Sequence, residues 1–246
     1  MMKLFADYHT HTTYSDGHGK VEENIQAAVN KGLQEIAITD HGPRNIGTGV
    51  KNPETFLAIK EEVKSIANTY PQIKVKVGAE ADITGVDGHI DIPEHIIKEL
   101  DLLIVGLHPY IWPDSLGDAW ELVIKNQLAK VNRRVADKVK NTNTKALIAA
   151  LDRYPVTIIS HPDLQMHIDV GEVAKACARA ETAFEINTGH SHYLSLELVQ
   201  QAAREGVCFS IDSDAHFPET VGNLDIGRQL AEKAGLSPEQ VINAVK

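Results

Sequence analysis

The stretch Leu4-Phe5-Ala6-Asp7-Tyr8-His9-Thr10-His11, followed by Ser15-Asp16-Gly17, decides how the rest of the chain is read. Leu4–His9 reads as a strand, apolar where it starts and polar where it ends. Alternation along a strand sends His9 and His11 to one face. Two strand rises separate their Cα atoms by about 6.5 Å, so both imidazoles can reach one ion. Neutral imidazole is a common ligand for Zn, Mn and Fe. An H-x-H pair also occurs on ordinary surfaces and in cores, so its weight comes from how the later apolar runs end.

Those runs are Glu35–Thr39, Val75–Glu80, Leu102–Leu107, Val156–Ser160, Thr182–Asn187 and Val207–Ile211. They are rich in Ile, Val and Leu rather than strictly alternating, as strands covered on both faces are. Helical patterns lie between and after them: Val21–Lys31 ending at Gly32, Pro53–Asn68, Ala119–Lys140, Thr144–Tyr154, Val170–Ala180, Ser195–Glu205 ending at Gly206, Leu224–Ala234 and Pro238–Val245. Proline opens a helix well and glycine closes one. Strand–helix alternation predicts an α/β fold with a parallel sheet, here a distorted, seven-stranded TIM-like barrel closed or nearly closed on itself. No boundary, repeat or low-complexity tract divides it, so residues 1–246 are expected to form one domain.

The formal net charge of −10 disfavours a nucleic-acid or anionic-membrane partner, because phosphate backbones need clustered Lys and Arg. No run is long enough for a membrane span, and the first residues are too short an apolar stretch for a signal peptide. A cytoplasmic chain is expected. Cys177 and Cys208 sit in apolar segments and read as buried thiols. The segment Ala119–Lys140 is basic on an acidic protein. It reads either as a solvated helix face or as a lid or partner-contacting helix near the mouth of a site.

Nearly every strand ends in a group that can bind metal. In barrels the functional site is built at that C-terminal face. The candidates are His9, His11, Asp16, His41, Glu80, His108, His161, Asp214 and His216. So many donors exceed one ion, since zinc takes about four ligands and hard cations about six to eight. Two or three ions are implied, and Glu80 or Asp214 could bridge a pair. Imidazole and carboxylate without thiolate fit Zn, Mn or Fe.

Taken together, H-x-H, S-D-G, T-D-H-G, a Glu ending the third strand, G-x-H, S-H-P and S-D-A-H resemble the PHP (polymerase and histidinol phosphatase) family, closest to its short single-domain YcdX-like branch. The resemblance runs from Leu4 to His216. It implies a distorted seven-stranded barrel with a trinuclear cluster, usually zinc, and hydrolysis of phosphate esters. His9, His11, Glu80 and Asp214 would hold one ion. Glu80, His108 and His161 would hold the second, and Asp16, His41 and His216 the third. His18 is the alternative to Asp16, since some relatives carry a histidine there. The implied reaction is cleavage of a phosphomonoester by hydroxide generated on the metals, with no protein nucleophile. A small phosphorylated substrate is the expected partner, and homo-oligomerisation stays open.

Arg44 is a candidate phosphate clamp, because guanidinium grips phosphate oxygens in pairs. Its other reading is a loop arginine. Asn187 could hydrogen-bond substrate or cap a turn. His190 and His192 follow the sixth strand and could touch substrate. Asp40 could orient His41 or a water. His89 reads as a hairpin tip, and His95 and His167 as surface residues. Other functional readings are a phosphodiesterase or exonuclease, a non-catalytic metal-binding module, and an amidohydrolase. The last usually needs a bridging lysine, and none stands at a strand end.

Overall fold

The computed structural model describes residues 2–193 and 195–246. Seven parallel strands lie side by side in chain order: β2 Ala6–Asp7, β3 Glu35–Ile38, β4 Lys74–Asp82, β5 Leu102–Gly106, β6 Ile158–Ile159, β7 Ala183–Asn187 and β8 Phe209–Asp212. Two further short strands, β1 Lys3–Leu4 and β9 Ala244–Val245, pair antiparallel outside that sheet. Helices follow the strands, as right-handed parallel connections require. The parallel bridge between Thr10 and Ala215 joins the two edges of the sheet, so the barrel is nearly closed.

Register explains where the polar groups go. Ile104 stands beside Glu80 on one side and Ile158 on the other, and Ile158 beside Ala183. Leu102, Ile104, Ile158, Ala183, Ala6 and Ala37 form a small inner cluster, while Leu103, Val105, Phe184 and Ile211 belong to the large core under the helices. The inner face is therefore apolar at the strand starts. It becomes polar at the strand ends, with Glu80, Asp82, Glu185, Asn187 and Asp212. A Cβ on Gly106 would overlap Ser160 Oγ inside this space, which explains glycine at that strand end.

Four readings of the sequence are corrected. Leu4–His9 is not one strand: the chain breaks at Phe5, so that Lys3–Leu4 pairs with the C-terminal segment and Ala6–Asp7 enters the barrel. Pro238–Val245 is not a helix. After the turn Pro238–Gln240 a second turn at Ile242 and Asn243 leads into β9, because buried Asn243 is captured by the barrel seam. Its Nδ2 donates to the Ala6 and Ile211 carbonyls at 2.9 and 2.7 Å, and its Oδ1 accepts from Ile211 N at 3.1 Å. The helix break lies near Asn132 rather than at 141–143, and Arg133–Arg153 is continuous. The Asn-Thr-rich stretch stays helical because Thr142 and Thr144 bond back to carbonyls four residues earlier and Asn143 pairs with Asn126. Cys177 is buried, but Cys208 is exposed, alternating with buried Val207 and Phe209.

Candidate metal centre

The nine candidate donors converge. His9 and His11 follow β2, with ring centroids 5.0 Å apart. The His11 amide donates to Ala215 O at 2.8 Å, which ties the first motif to Asp214 and His216 across the barrel seam. His41 follows β3 and bridges directly to Glu80 in β4. His108, His161 and Asp214 stand just beyond β5, β6 and β8. His161 and Asp214 adopt left-handed backbone, with φ of 25° and 50°, a strain that clusters at functional sites.

Glu80 is the hub. Its Oε2 lies 3.2 Å from His9 Nε2, 3.6 Å from His11 Nε2 and 2.8 Å from His41 Nδ1. Its Oε1 lies 3.4 Å from His108 Nε2 and 2.9 Å from His161 Nε2. Asp214 Oδ1 is 3.1 Å from His11 Nε2 and 3.6 Å from His9 Nε2. Asp16 reaches His216 at 3.3 Å, His41 at 3.8 Å and His11 at 3.9 Å. His18 instead is exposed and stacks on Phe217 at 4.2 Å. Among the described residues, three groups have donor atoms close enough to share an ion: His11, Asp16, His41 and His216; His9, His11 and Glu80; His41, Glu80 and His108.

These residues fit metal ions on a further ground. Among the described residues, His9 Nε2, both ring nitrogens of His11, His41 Nδ1 and Glu80 Oε2 are buried and crowd together at 2.8 Å and more, yet none is aligned for a hydrogen bond. Burying polar atoms unpaired costs about 1–3 kcal/mol each, so such a concentration calls for a ligand. Burial, helped by the nearby His41 ring, lowers His11 to about 3, which keeps it in the neutral form that coordinates. Burial raises Asp16, but the hydrogen bond from His216 and the charge of His41 outweigh it and bring it to about 2. Burial likewise opposes ionisation of Glu80 and Asp214, yet the imidazoles around them hold both well below the usual carboxylate range.

Two supporting acids escaped sequence reasoning. Glu185 Oε1 takes a 2.7 Å hydrogen bond from His9 Nδ1, and its Oε2 accepts from the His161 amide at 2.5 Å. Asp82 accepts from His108 Nδ1. The signal available was an acid inside an apolar strand, two residues from another polar position on the same face. Asp40 accepts from Thr12 and Ser15 and braces the 12–17 loop, rather than orienting His41. Arg44 pairs with Asp114, which also takes a 2.6 Å bond from His89 Nδ1. Asn187 is buried, donates at 3.0 Å to both Glu185 and Asp214, and accepts from the His190 amide. The His190 ring lies 3.4 Å from Asp214, whereas His192 is exposed and packs on Tyr193. His95 and His167 are exposed, and Gly85 and Thr84 bond to His89 O in a hairpin-like turn.

Among the described residues, two cavities open on this rim. One of about 170 Å³ is lined by His41, His108, His161, His190, Asp214 and His216. The second, about 420 Å³, shares His161 and His190 and extends past Leu164, Val170, Leu198 and Val199. Neither is lined by Lys or Arg among the described residues. A larger hollow of about 690 Å³, near Lys31 and Arg228, contains none of the imidazoles.

Comparison with known proteins agrees with this geometry. Residues 7–234 match the model of a family described as the PHP domain. A probable phosphatase of Thermoanaerobacter sp. (strain X514) is 31% identical over 98% of this chain and 91% of its own. A probable phosphatase of Caldanaerobacter subterraneus is 32% identical over 98% of this chain and 88% of its own. Among solved structures, histidinol phosphate phosphatase from Lactococcus lactis, complexed with zinc, L-histidinol and phosphate, superposes with a TM-score of 0.62 at 18% identity, covering 95% of each chain.

Proposed function

From the premise that this chain belongs to the PHP domain family, we propose that it is a metal-dependent phosphatase that hydrolyses phosphomonoesters with three divalent ions, zinc first among them. The observation that carries this reading is the Glu80 carboxylate, whose two oxygens face different sets of imidazoles, as a bridging ligand's would. His9, His11, Glu80 and Asp214 would hold one ion, Glu80, His108 and His161 another, and Asp16, His41 and His216 the third. Such ions, when bound, neutralise phosphate charge and bring the pKa of water toward about 7.

The chain's own residues do the rest. Glu185 and Asp82 hold the His9 and His108 rings so that Nε2 faces the cluster. Asn187 fixes Asp214. Among the described residues the cavities carry no Lys or Arg, so the phosphate's charge must be met at the donor cluster itself. The 420 Å³ cavity suits the alcohol part of the ester, with Leu164, Leu198 and Val199 against apolar surface and Asp163 and Glu197 at its edge. An alcohol that is neutral or cationic fits there, and one bearing a second phosphate does not. His190, half-exposed and beside Asp214, is placed to touch the ester.

Metal analysis of purified protein, paired with turnover of p-nitrophenyl phosphate and bis-p-nitrophenyl phosphate, tests the reading. Three ions per chain with monoester turnover is the expected result. Diester turnover alone, or metal without turnover, would overturn it.

A further inference from the structure

The helical segments Leu116–Asp118, Ala119–Ile124 and Lys125–Ala129 run on without a break as one rod. Leu116, Trp120, Ile124 and Leu128 recur at every fourth position and are exposed by 92, 51, 45 and 42%. The central turn Ala119–Ile124 has π-type geometry, and its wider turn offsets the drift of i+4 positions around an α-helix. The four side chains therefore form a straight stripe. The opposite face is spoken for: Leu122 is buried, and Asn126 pairs with Asn143. Val131 at one end is 88% exposed, and Tyr110 and Trp112, which precede the rod, are 61 and 64% exposed. Side chains of these sizes offer on the order of 800 Å², about one partner's share of a stable interface. Single exposed apolar residues need no explanation, but a stripe of this extent does.

Charge along the rod identifies the occupant. At its start Asp118 has no ion-pair partner among the described residues, while neighbouring Asp114 is taken by Arg44 and His89. Lys130, Arg133, Arg134 and Lys138 follow its end, and among the described residues none of these four has an ion-pair partner. A surface with an apolar stripe, an acidic end and a basic end is complementary to itself when turned by a two-fold axis.

We propose that this rod is a homodimer interface, in which two copies pack antiparallel about the Trp120–Ile124 turn. Leu116 then meets Leu128 of the second copy, and Trp120 meets Ile124. The acidic end of each rod lies beside the basic end of the other. The inference is independent of the hydrolytic reading, since it uses no residue of the metal centre.

Sedimentation velocity on the metal-loaded chain tests it. The wild type is expected to be dimeric at micromolar concentration. Trp120→Glu and Ile124→Glu each raise the dissociation constant by about a hundredfold, as loss of a central contact does. Lys130→Glu combined with Arg133→Glu weakens association about tenfold and removes its salt dependence. Circular dichroism and melting temperature confirm that the variants are folded. A wild type that stays monomeric, or a Trp120→Glu protein that dimerises like wild type, overturns the proposal. So does a monomer that co-sediments with phosphatidylserine vesicles, which would assign the stripe to lipid.

Discussion

His9 and Glu185 share a fully buried 2.7 Å hydrogen bond, and that bond decides which nitrogen of His9 is left to face Glu80 and Asp214. With Nδ1–H committed to a carboxylate, Nε2 presents its lone pair to the cluster. The same carboxylate accepts from the amide of His161, whose backbone is strained. One acid therefore sets two ligands that are far apart in sequence. Glu185→Ala is expected to lose about 10–100-fold in metal affinity and in kcat/KM while remaining folded. Glu185→Gln, which keeps one acceptor, should fall between. Zinc titration with a competing chelator, alongside turnover of p-nitrophenyl phosphate, measures both. Wild-type metal affinity in the alanine variant would refute the role.

The seam of the barrel depends on Asn243. Replacing it with Ala leaves Ala6 O and the Ile211 amide and carbonyl without buried partners. Each orphaned group costs about 1–3 kcal/mol, so Asn243→Ala should lose roughly 3 kcal/mol or more in urea unfolding. Metal affinity should drop with it, because His11 and Ala215 bond across the same seam.

Only one thiol should react in the folded protein. Burial pushes Cys177 up to about 12, so it carries almost no thiolate near neutrality. Cys208 is exposed. An aromatic disulfide reagent should titrate one thiol per native chain and two after denaturation. Cys208→Ser should abolish the native reaction.

The Arg44–Asp114–His89 group predicts an acid-limb effect on stability. Burial raises Asp114, but the hydrogen bonds from His89 and Arg44 outweigh it and leave the carboxyl below its ordinary value of 3.8. A folded pKa below the unfolded one means a contribution fully present above about pH 4 and lost as pH falls through the lower folded value. Asp114→Asn should thus lower the melting temperature slightly at pH 7 and flatten its decline below pH 4. A decline as steep as that of wild type would count against the pairing.

Narrowing the 420 Å³ cavity should change substrate choice without touching the metals. Leu198→Trp is expected to cut kcat/KM for aryl phosphates about tenfold, through KM, and to leave small alkyl phosphates nearly unaffected. Zinc content should not change. Equal loss for both substrates would place the alcohol elsewhere.

The fold was legible because apolar runs of strand length alternate with helical patterns, and that rhythm survives local errors of boundary. The convergence of His9, Glu80 and His161 followed from parallel strands that end on one face. Glu185 and Asp82 were not legible as supports. Their partners are ring nitrogens from other strands, and register across a sheet cannot be read from one strand's residues. Asn143 misled for a related reason: it favours turns, yet its amide is held by Asn126 and the helix runs through it. Pro238–Val245 read as a helix, but Asn243 bonds to the barrel seam from a turn instead.

The stitching of β2 to β8 through Asn243 has a consequence for biosynthesis. Every candidate ligand, up to His216, is translated before Asn243. Until Asn243 has left the ribosome, the imidazoles already exist but the seam that aligns them lacks its stitch. Cation uptake then belongs after Asn243 has joined the seam, so chains arrested with Asn243 still in the exit tunnel should bind zinc less tightly than the whole chain.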